Sequence, residues 1–188
     1  MPCAILIVLL YRAVVAKNDP TLLRWYLSLG ADPNLGPPQS SLREKGFVDK
    51  NDPPSSDSSG ALAQTVINCG TDIVDILVEH GANLEKGLAL RRALKRQLEN
   101  RIPMMEHLLH LGIDINHFGW TLPLKYGGTA LHLAACTGQI EETRWLLESG
   151  ADPTISNSVK MTSDAYALLN RHEAVSRVIR EWKGRKLD

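Results

Sequence analysis

Residues 127–157 constrain the fold more than any other stretch of the chain, because they hold two short helical patterns. Six apolar or small positions recur at the spacing of a helix face: Leu131, Ala134 and Ala135, then Thr143, Leu146 and Leu147. Gly138 separates the two patterns and Gly150 ends the second, where a left-handed backbone costs least without a Cβ. Asp152 can then accept hydrogen bonds from the turn backbone. Helices this short cannot bury their own apolar faces, so they predict similar neighbours.

The same stretch resembles an ankyrin repeat, whose fingerprint is T-P-L-H-x-A followed later by L-L-x-x-G-A-D. Residues 129–134 read TALHLA, with Ala130 in place of the proline, and residues 146–152 read LLESGAD. Thr129 is placed to cap the first helix, since its hydroxyl can accept a backbone N–H of the first turn. The resemblance further implies a hydrogen bond between His132 and Thr129.

The turn that ends the second helix recurs along the chain, at Gly30, Gly81, Gly112 and Gly150. This recurrence and the resemblance together predict an all-α, ankyrin-type solenoid of five stacked helix-turn-helix repeats with hairpin-like fingers. The predicted single domain covers residues 1–188, with repeats at 2–35, 60–85, 86–116, 124–157 and 158–188. Only the repeat at 124–157 is intact, and the others are degenerate.

Two insertions explain the unequal repeat spacing: a flexible segment over residues 36–59 and an extended finger over residues 117–128. The first is rich in serine and proline and is either a docking or phosphorylation segment or a tolerated insertion. The second carries Phe118, Trp120 and Tyr126. These aromatic residues either contact a partner or fold back on the next repeat.

The first repeat combines a predicted helix over residues 3–16 with a second helix that starts near Pro20. Asn18 lies between them, where a left-handed residue is expected. The apolar helix at 3–16 would need an upstream segment or a partner chain to cover it; a secretory signal is disfavoured because no Lys or Arg precedes it. Trp25 and Trp145 each stand five residues before their turn glycine, which predicts packing between adjacent helix pairs.

The composition and the motifs give no sign of a catalytic site. The 21 basic and 21 acidic residues balance, which argues against a polyanionic partner. The cysteines, Cys3, Cys69 and Cys136, are few and scattered, which favours a reduced intracellular compartment, cytoplasmic or nuclear. His107 and His110 lack a carboxylate or cysteine at ligand spacing, so we expect no metal site. Cys136 lacks a base nearby in sequence, and we expect no catalytic residues and no cofactor.

A basic stretch lies in the first helix of the third repeat, which is expected to be longer than the others. Arg91, Arg92, Lys95 and Arg96 fall close together on the predicted helix surface. This pattern indicates a solvated helix face, a site for an acidic peptide, or a nucleic-acid site without a recognition motif.

The ankyrin resemblance implies a non-catalytic module that binds another protein through the concave groove of first helices and fingers. The candidate partner contacts are Lys125, Tyr126, Gly128, Cys136, Thr137, Phe118, Trp120, Arg92 and Arg96. The residues expected to maintain the repeat are Thr129, His132, Gly138, Gly150 and Asp152. We expect no membrane or small-molecule partner. The alternatives are a targeting or regulatory fragment of a larger protein and a nucleic-acid binder through the basic stretch.

Overall fold

The computed structural model describes residues 18–34, 60–85, 88–96, 101–119 and 127–185. The predicted helix at 3–16, the insertion at 36–59 and the finger residues 120–126 lie outside these described residues.

The described residues are helical, and apart from two isolated β-bridges they contain no strand. The helices are α1 (Pro20–Ser28), α2 (Gly60–Asn68), α3 (Thr71–Glu79), α4 (Ala89–Ala93), α5 (Arg101–His110), α6 (Ala130–Thr137), α7 (Ile140–Glu148), α8 (Ser163–Leu169) and α9 (Glu173–Arg185). None of these described helices is long and apolar enough to cross a lipid bilayer. The all-α prediction is therefore confirmed.

The chain divides into two compact units, Met1–Arg92 and Ala93–Asp188, and the division falls within α4. In the first unit, α3 packs against both α1 and α2. The side chain of Asn34 joins the turn after α1 to the turn after α3. Its Nδ2 donates to the carbonyl of Gly81 at 2.8 Å, and its Oδ1 accepts from the N–H of Asn83 at 2.7 Å.

In the second unit, helices pack in the alternating order of stacked hairpins. Helices α6 and α7 pack against each other as one hairpin, and α8 and α9 pack against each other as the next. Between these hairpins α6 packs on α8 and α7 packs on α9, and α7 also packs on α5. The hydrogen bond between successive turns recurs here, from the N–H of Asp152 to Oδ1 of Asn116 at 2.8 Å. Arg101 and Glu142 form an ion pair at 3.0 Å between α5 and α7.

The glycine turns adopt the left-handed backbone that the sequence predicts. Gly150 has a φ of 101° and Gly138 a φ of 74°. A Cβ at Gly138 would also lie 2.7 Å from Nδ1 of His172, so both backbone and space require glycine there. Asn18 has a φ of 47°, as predicted. Oδ1 of Asp152 accepts from the N–H of Thr154 at 2.8 Å, which confirms the turn expected at this aspartate.

The predicted apolar stripes form the core. All six stripe positions in residues 127–157 are buried, namely Leu131, Ala134, Ala135, Thr143, Leu146 and Leu147. Burial of one leucine side chain contributes on the order of 2 kcal/mol. Because each hairpin is short, this contribution depends on the neighbouring hairpin that covers the stripe.

His132 connects the start of α6 with the loop before α8. Thr129 and His132 form a capping box, as the sequence predicts. Nδ1 of His132 accepts from the N–H of Thr129 at 3.3 Å and lies 3.0 Å from its hydroxyl. Nε2 lies 3.1 Å from the carbonyl of Met161, so this pattern assigns the ring proton to Nε2. One buried ring therefore fixes both a helix start and the following loop.

The last hairpin carries charges where the hairpin before it carries leucine. When Thr129 is aligned with Thr162 and Gly138 with Arg171, Asp164 falls at the place of Leu131. By the same alignment Arg180 falls at the place of Leu147. Asp164 accepts from Nζ of Lys183 at 2.8 Å and lies 3.5 Å from Nε of Arg180. This polar substitution is typical of a repeat whose outer face meets solvent.

The two predicted tryptophan packing sites differ. Nε1 of Trp145 on α7 lies 3.4 Å from Oε1 of Glu106 on α5, which confirms packing between adjacent helix pairs. The prediction is wrong for Trp25, whose side chain is 54% exposed. The residues before Asn18, where a covering helix was predicted, lie outside the described part of the chain.

We predict that His132→Ala lowers the free energy of unfolding by about 2 kcal/mol, because two buried backbone groups lose their partner. Urea denaturation followed by circular dichroism measures this loss. His110→Ala is the matched control, since His110 is exposed and its Nδ1 meets only the carbonyl of Glu106 in its own helix. Equal midpoints for the His132 and His110 variants would contradict the structural role of His132.

Asp164 predicts a pH-dependent contribution to stability. Burial alone would raise the pKa of Asp164, but the hydrogen bonds from Lys183 and Thr162 and the charge of Lys183 outweigh it and lower the pKa. The pair therefore stabilises the fold above the unfolded-state pKa, and the stabilisation is lost as the pH falls through the lowered pKa. We expect Asp164→Asn to cost about 1 kcal/mol at neutral pH and almost nothing in stronger acid.

Carboxyl-carbon NMR titration checks the cause of this shift. Lys183→Met should raise the pKa of Asp164, whereas Glu148→Gln, an exposed change on α7, should leave it unchanged. An unchanged Asp164 titration in the Lys183 variant would show that the ion pair does not set its pKa.

Candidate functional site

The predicted finger at residues 117–128 is closed at its base. Gly119 and Gly128 form an antiparallel bridge with N–H to O distances of 3.1 and 2.9 Å. Gly128 is buried, and a Cβ there would lie 3.0 Å from the Cβ and Cγ of His132. Gly128 was predicted to contact a partner, but it is buried in the bridge at the base of the finger and therefore supports the finger backbone. Phe118, next to the bridge, is 41% exposed.

Three predicted finger contacts, Trp120, Lys125 and Tyr126, lie outside the described residues. They stay predictions.

A second finger, one of the predicted hairpin-like fingers but with no bounds assigned from the sequence, occupies residues 156–162. Ser156 and Thr162 form an antiparallel bridge at its base. Asn157 organises the loop, because its Oδ1 accepts from the N–H groups of Val159 at 3.0 Å and Met161 at 2.9 Å. Lys160 at the tip has a φ of 60°. An asparagine among small polar residues is a turn signal that could have identified this finger.

The two fingers are joined side by side. The N–H of Ser158 in the second finger donates to the carbonyl of Gly127 at the base of the first, at 3.1 Å. The hydrogen bond from Nε2 of His132 to the carbonyl of Met161 attaches the second finger to α6. The fingers therefore form one surface above helices α6 and α8.

The predicted helix-edge residues lie at the end of α6. Cys136 is a half-buried free thiol and Thr137 is exposed. The hydroxyl of Thr137 donates to the carbonyl of Leu133 at 2.8 Å, so the side chain is held against its own helix. By the alignment of the two hairpins, Leu169 of α8 occupies the place of Cys136. Leu169 is 60% exposed, and aligning the hairpins by sequence could have identified it.

The exposed residues of this region define a candidate binding surface, which we call the finger–groove surface. Its fingers contribute Phe118 and Val159, each 41% exposed, and its helices contribute Cys136, Thr137 and Leu169. Sequence reasoning missed Val159 and Leu169. Such a surface of exposed apolar side chains on a rigid scaffold is suited to contact with another macromolecule.

The basic stretch differs from the prediction. Helix α4 has five residues and ends at Ala93, so the expected longer helix is wrong. Without that helix, Arg92 and Arg96 do not share a helical face. The Arg96 and Arg91 side chains are 1% and 2% exposed, and both interact with other groups of the chain. Arg96 is therefore not a surface contact, while Arg92 and Lys95 are half-buried.

The described residues offer no obvious metal chemistry. Within these ranges no group of three or more His, Cys, Asp or Glu side chains is arranged to hold a metal ion. Cys69, a further free thiol, is buried.

Comparison with known proteins supports the repeat. The family model described as ankyrin repeat matches residues 126–158, which include both hairpin helices α6 and α7. No curated protein matches the chain. Ankyrin repeats in general are protein-interaction modules and are typically non-catalytic. Residues 126–158 are thus an ankyrin repeat.

Proposed function

We propose that this protein binds another protein through the finger–groove surface, without catalysing a reaction. The observation that carries the proposal is the hydrogen bond that joins the two fingers, together with the exposed apolar side chains on these fingers and on α8, the helix that follows them. Phe118 and Val159 stand on the fingers, and Leu169 stands on α8. The bond between Ser158 and Gly127 fixes the fingers relative to one another, so little entropy is lost when a partner binds.

The chemistry of the surface favours a partner segment that is mainly apolar. Thr137 and Lys160, both exposed, provide polar groups at its edge. Apolar side chains at the centre with polar residues at the rim are typical of specific protein interfaces. Phe118 is the aromatic residue among the described residues of the surface and is therefore the expected anchor there.

The alternatives receive less support. A nucleic-acid site would need an exposed basic face, but Arg91 and Arg96 are buried. A targeting or regulatory role within a larger protein is compatible with the same finger–groove surface. The intracellular compartment stays a prediction based on the cysteines.

We predict that Val159→Asp combined with Leu169→Asp weakens partner binding at least tenfold, because each change places an unpaired charge in an apolar interface. Proteins captured by the full chain are identified by mass spectrometry, and their affinities are measured with purified components. Glu148→Ala, an exposed change on α7, is the matched control. If the same partners bind the double variant with unchanged affinity, the finger–groove surface is not the recognition site.

We also predict that a bulky maleimide on Cys136 blocks the same binding at least tenfold, since the thiol lies at the groove edge. The experiment uses the Cys3→Ser variant, so that two thiols remain. Cys69 is buried and Cys136 is half-buried, so the maleimide reacts with Cys136 first. Alkylation by the much smaller iodoacetamide should weaken binding less, because it fills less of the groove. Full affinity after complete maleimide labelling would exclude this edge from the interface.

A further inference from the structure

Helix α1 presents a large apolar face that nothing described in the chain covers. Trp25 is 54% exposed and Leu29, four residues later, is 49% exposed. Leu29 is the C-cap residue of α1, and its N–H still donates to the carbonyl of Trp25 at 3.2 Å, so the two side chains are neighbours and form one patch, which we call the Trp25 face. The Trp25 ring packs edge-on against Tyr26, with centroids 4.9 Å apart.

Other hairpins show what occupies this repeat position. On α3, Ile76 stands five residues before its turn glycine, which is the position that Trp25 holds on α1. Helix α3 packs against α1, and Ile76 is 2% exposed. Trp145 holds the same position on α7, and its Nε1 lies 3.4 Å from Glu106 on α5. In both cases the second helix of the preceding hairpin lies alongside. The position is thus built to receive a helix.

The Trp145 contact also shows the chemistry of the expected helix. The dipeptide Arg144-Trp145 recurs as Arg24-Trp25, so α1 offers the same indole and guanidinium groups as α7. Within the described part of the chain, Nε1 of Trp25 donates to no group. Arg24 pairs with Glu79 at 3.2 Å, but both side chains are more than half exposed, so this ion pair is weak and leaves room for a second carboxylate.

We propose that the Trp25 face binds an amphipathic helix of another protein, which carries a central carboxylate flanked by apolar side chains. This helix takes the place on α1 that α5 takes on α7. Its carboxylate accepts from Nε1 of Trp25 and approaches Arg24, while its apolar residues cover the indole ring and Leu29. The Trp25 face belongs to the first unit and the finger–groove surface to the second, and the two share no residue, so the two proposals fail or succeed independently.

The test uses a helix from this chain as the probe. A stapled, fluorescein-labelled peptide of residues 101–112, which contains α5 and Glu106, is titrated with the full chain by fluorescence polarisation. We expect saturable binding that Trp25→Ala weakens at least tenfold. The Glu106→Gln change in the peptide should weaken binding about threefold or more. Leu169→Ala, a finger–groove control, should leave the affinity unchanged.

A second variant separates a direct contact from a loss of folding. Trp25→Phe retains most of the apolar area but removes the N–H, so it should weaken binding of the normal peptide and leave binding of a Glu106→Ala peptide, which lacks the acceptor, unaffected. Circular dichroism verifies that each variant is folded. Absence of saturable binding, or equal affinities of the wild type and Trp25→Ala, would overturn the proposal. So would a dimer in sedimentation equilibrium that Trp25→Ala converts to monomer, because a second copy would then occupy the face.

Discussion

Each described helix of this protein depends on its neighbours, because a helix of this length is at best marginally stable alone. Most have about ten residues or fewer, below the roughly 12–15 residues that an isolated helix needs to be even marginally stable in water. The neighbours are held by apolar stripes and by hydrogen bonds that join successive turns. Asn34 makes such a bond in the first unit and Asn116 in the second. The repeated turn therefore does more than reverse the chain, since its asparagine also fixes the spacing to the next turn.

The sequence could predict the features that follow from the spacing of residues within a repeat. The turn glycines, the left-handed Asn18 and the buried stripes follow from local spacing, and the structure has them. It could not predict the exposed positions equally well, because exposure depends on which neighbour is present. Trp25 and Trp145 occupy the same repeat position, yet Trp145 contacts Glu106 of α5, whereas Trp25 is 54% exposed. The prediction of a basic helix face was wrong for another reason. Helix α4 ends at Ala93, so the residues after it do not continue its face.

The outer faces of the first and last described hairpin helices carry different kinds of side chain. In the last hairpin, leucine positions are replaced by Asp164 and Arg180, and Asp164 pairs with both Arg180 and Lys183. This arrangement satisfies polar groups at a surface that meets water. On α1 the corresponding surface keeps a tryptophan and a leucine. An exposed apolar patch on a helix that otherwise follows the repeat pattern is a cost to solubility, and its retention is explained most simply by a helix that covers it.

The groups that maintain the candidate binding surface are distinct from those that face a partner. His132 and Asn157 are buried and bind backbone groups of the finger loops, so substitution there alters the shape of the surface through stability. Phe118, Val159 and Leu169 are exposed and make no hydrogen bonds through their side chains, so substitution there alters what the surface contacts while the fold persists. This separation follows from the repeat itself. The buried fingerprint fixes the backbone of each finger, and the exposed positions are then free to vary in chemistry and to determine which protein is bound.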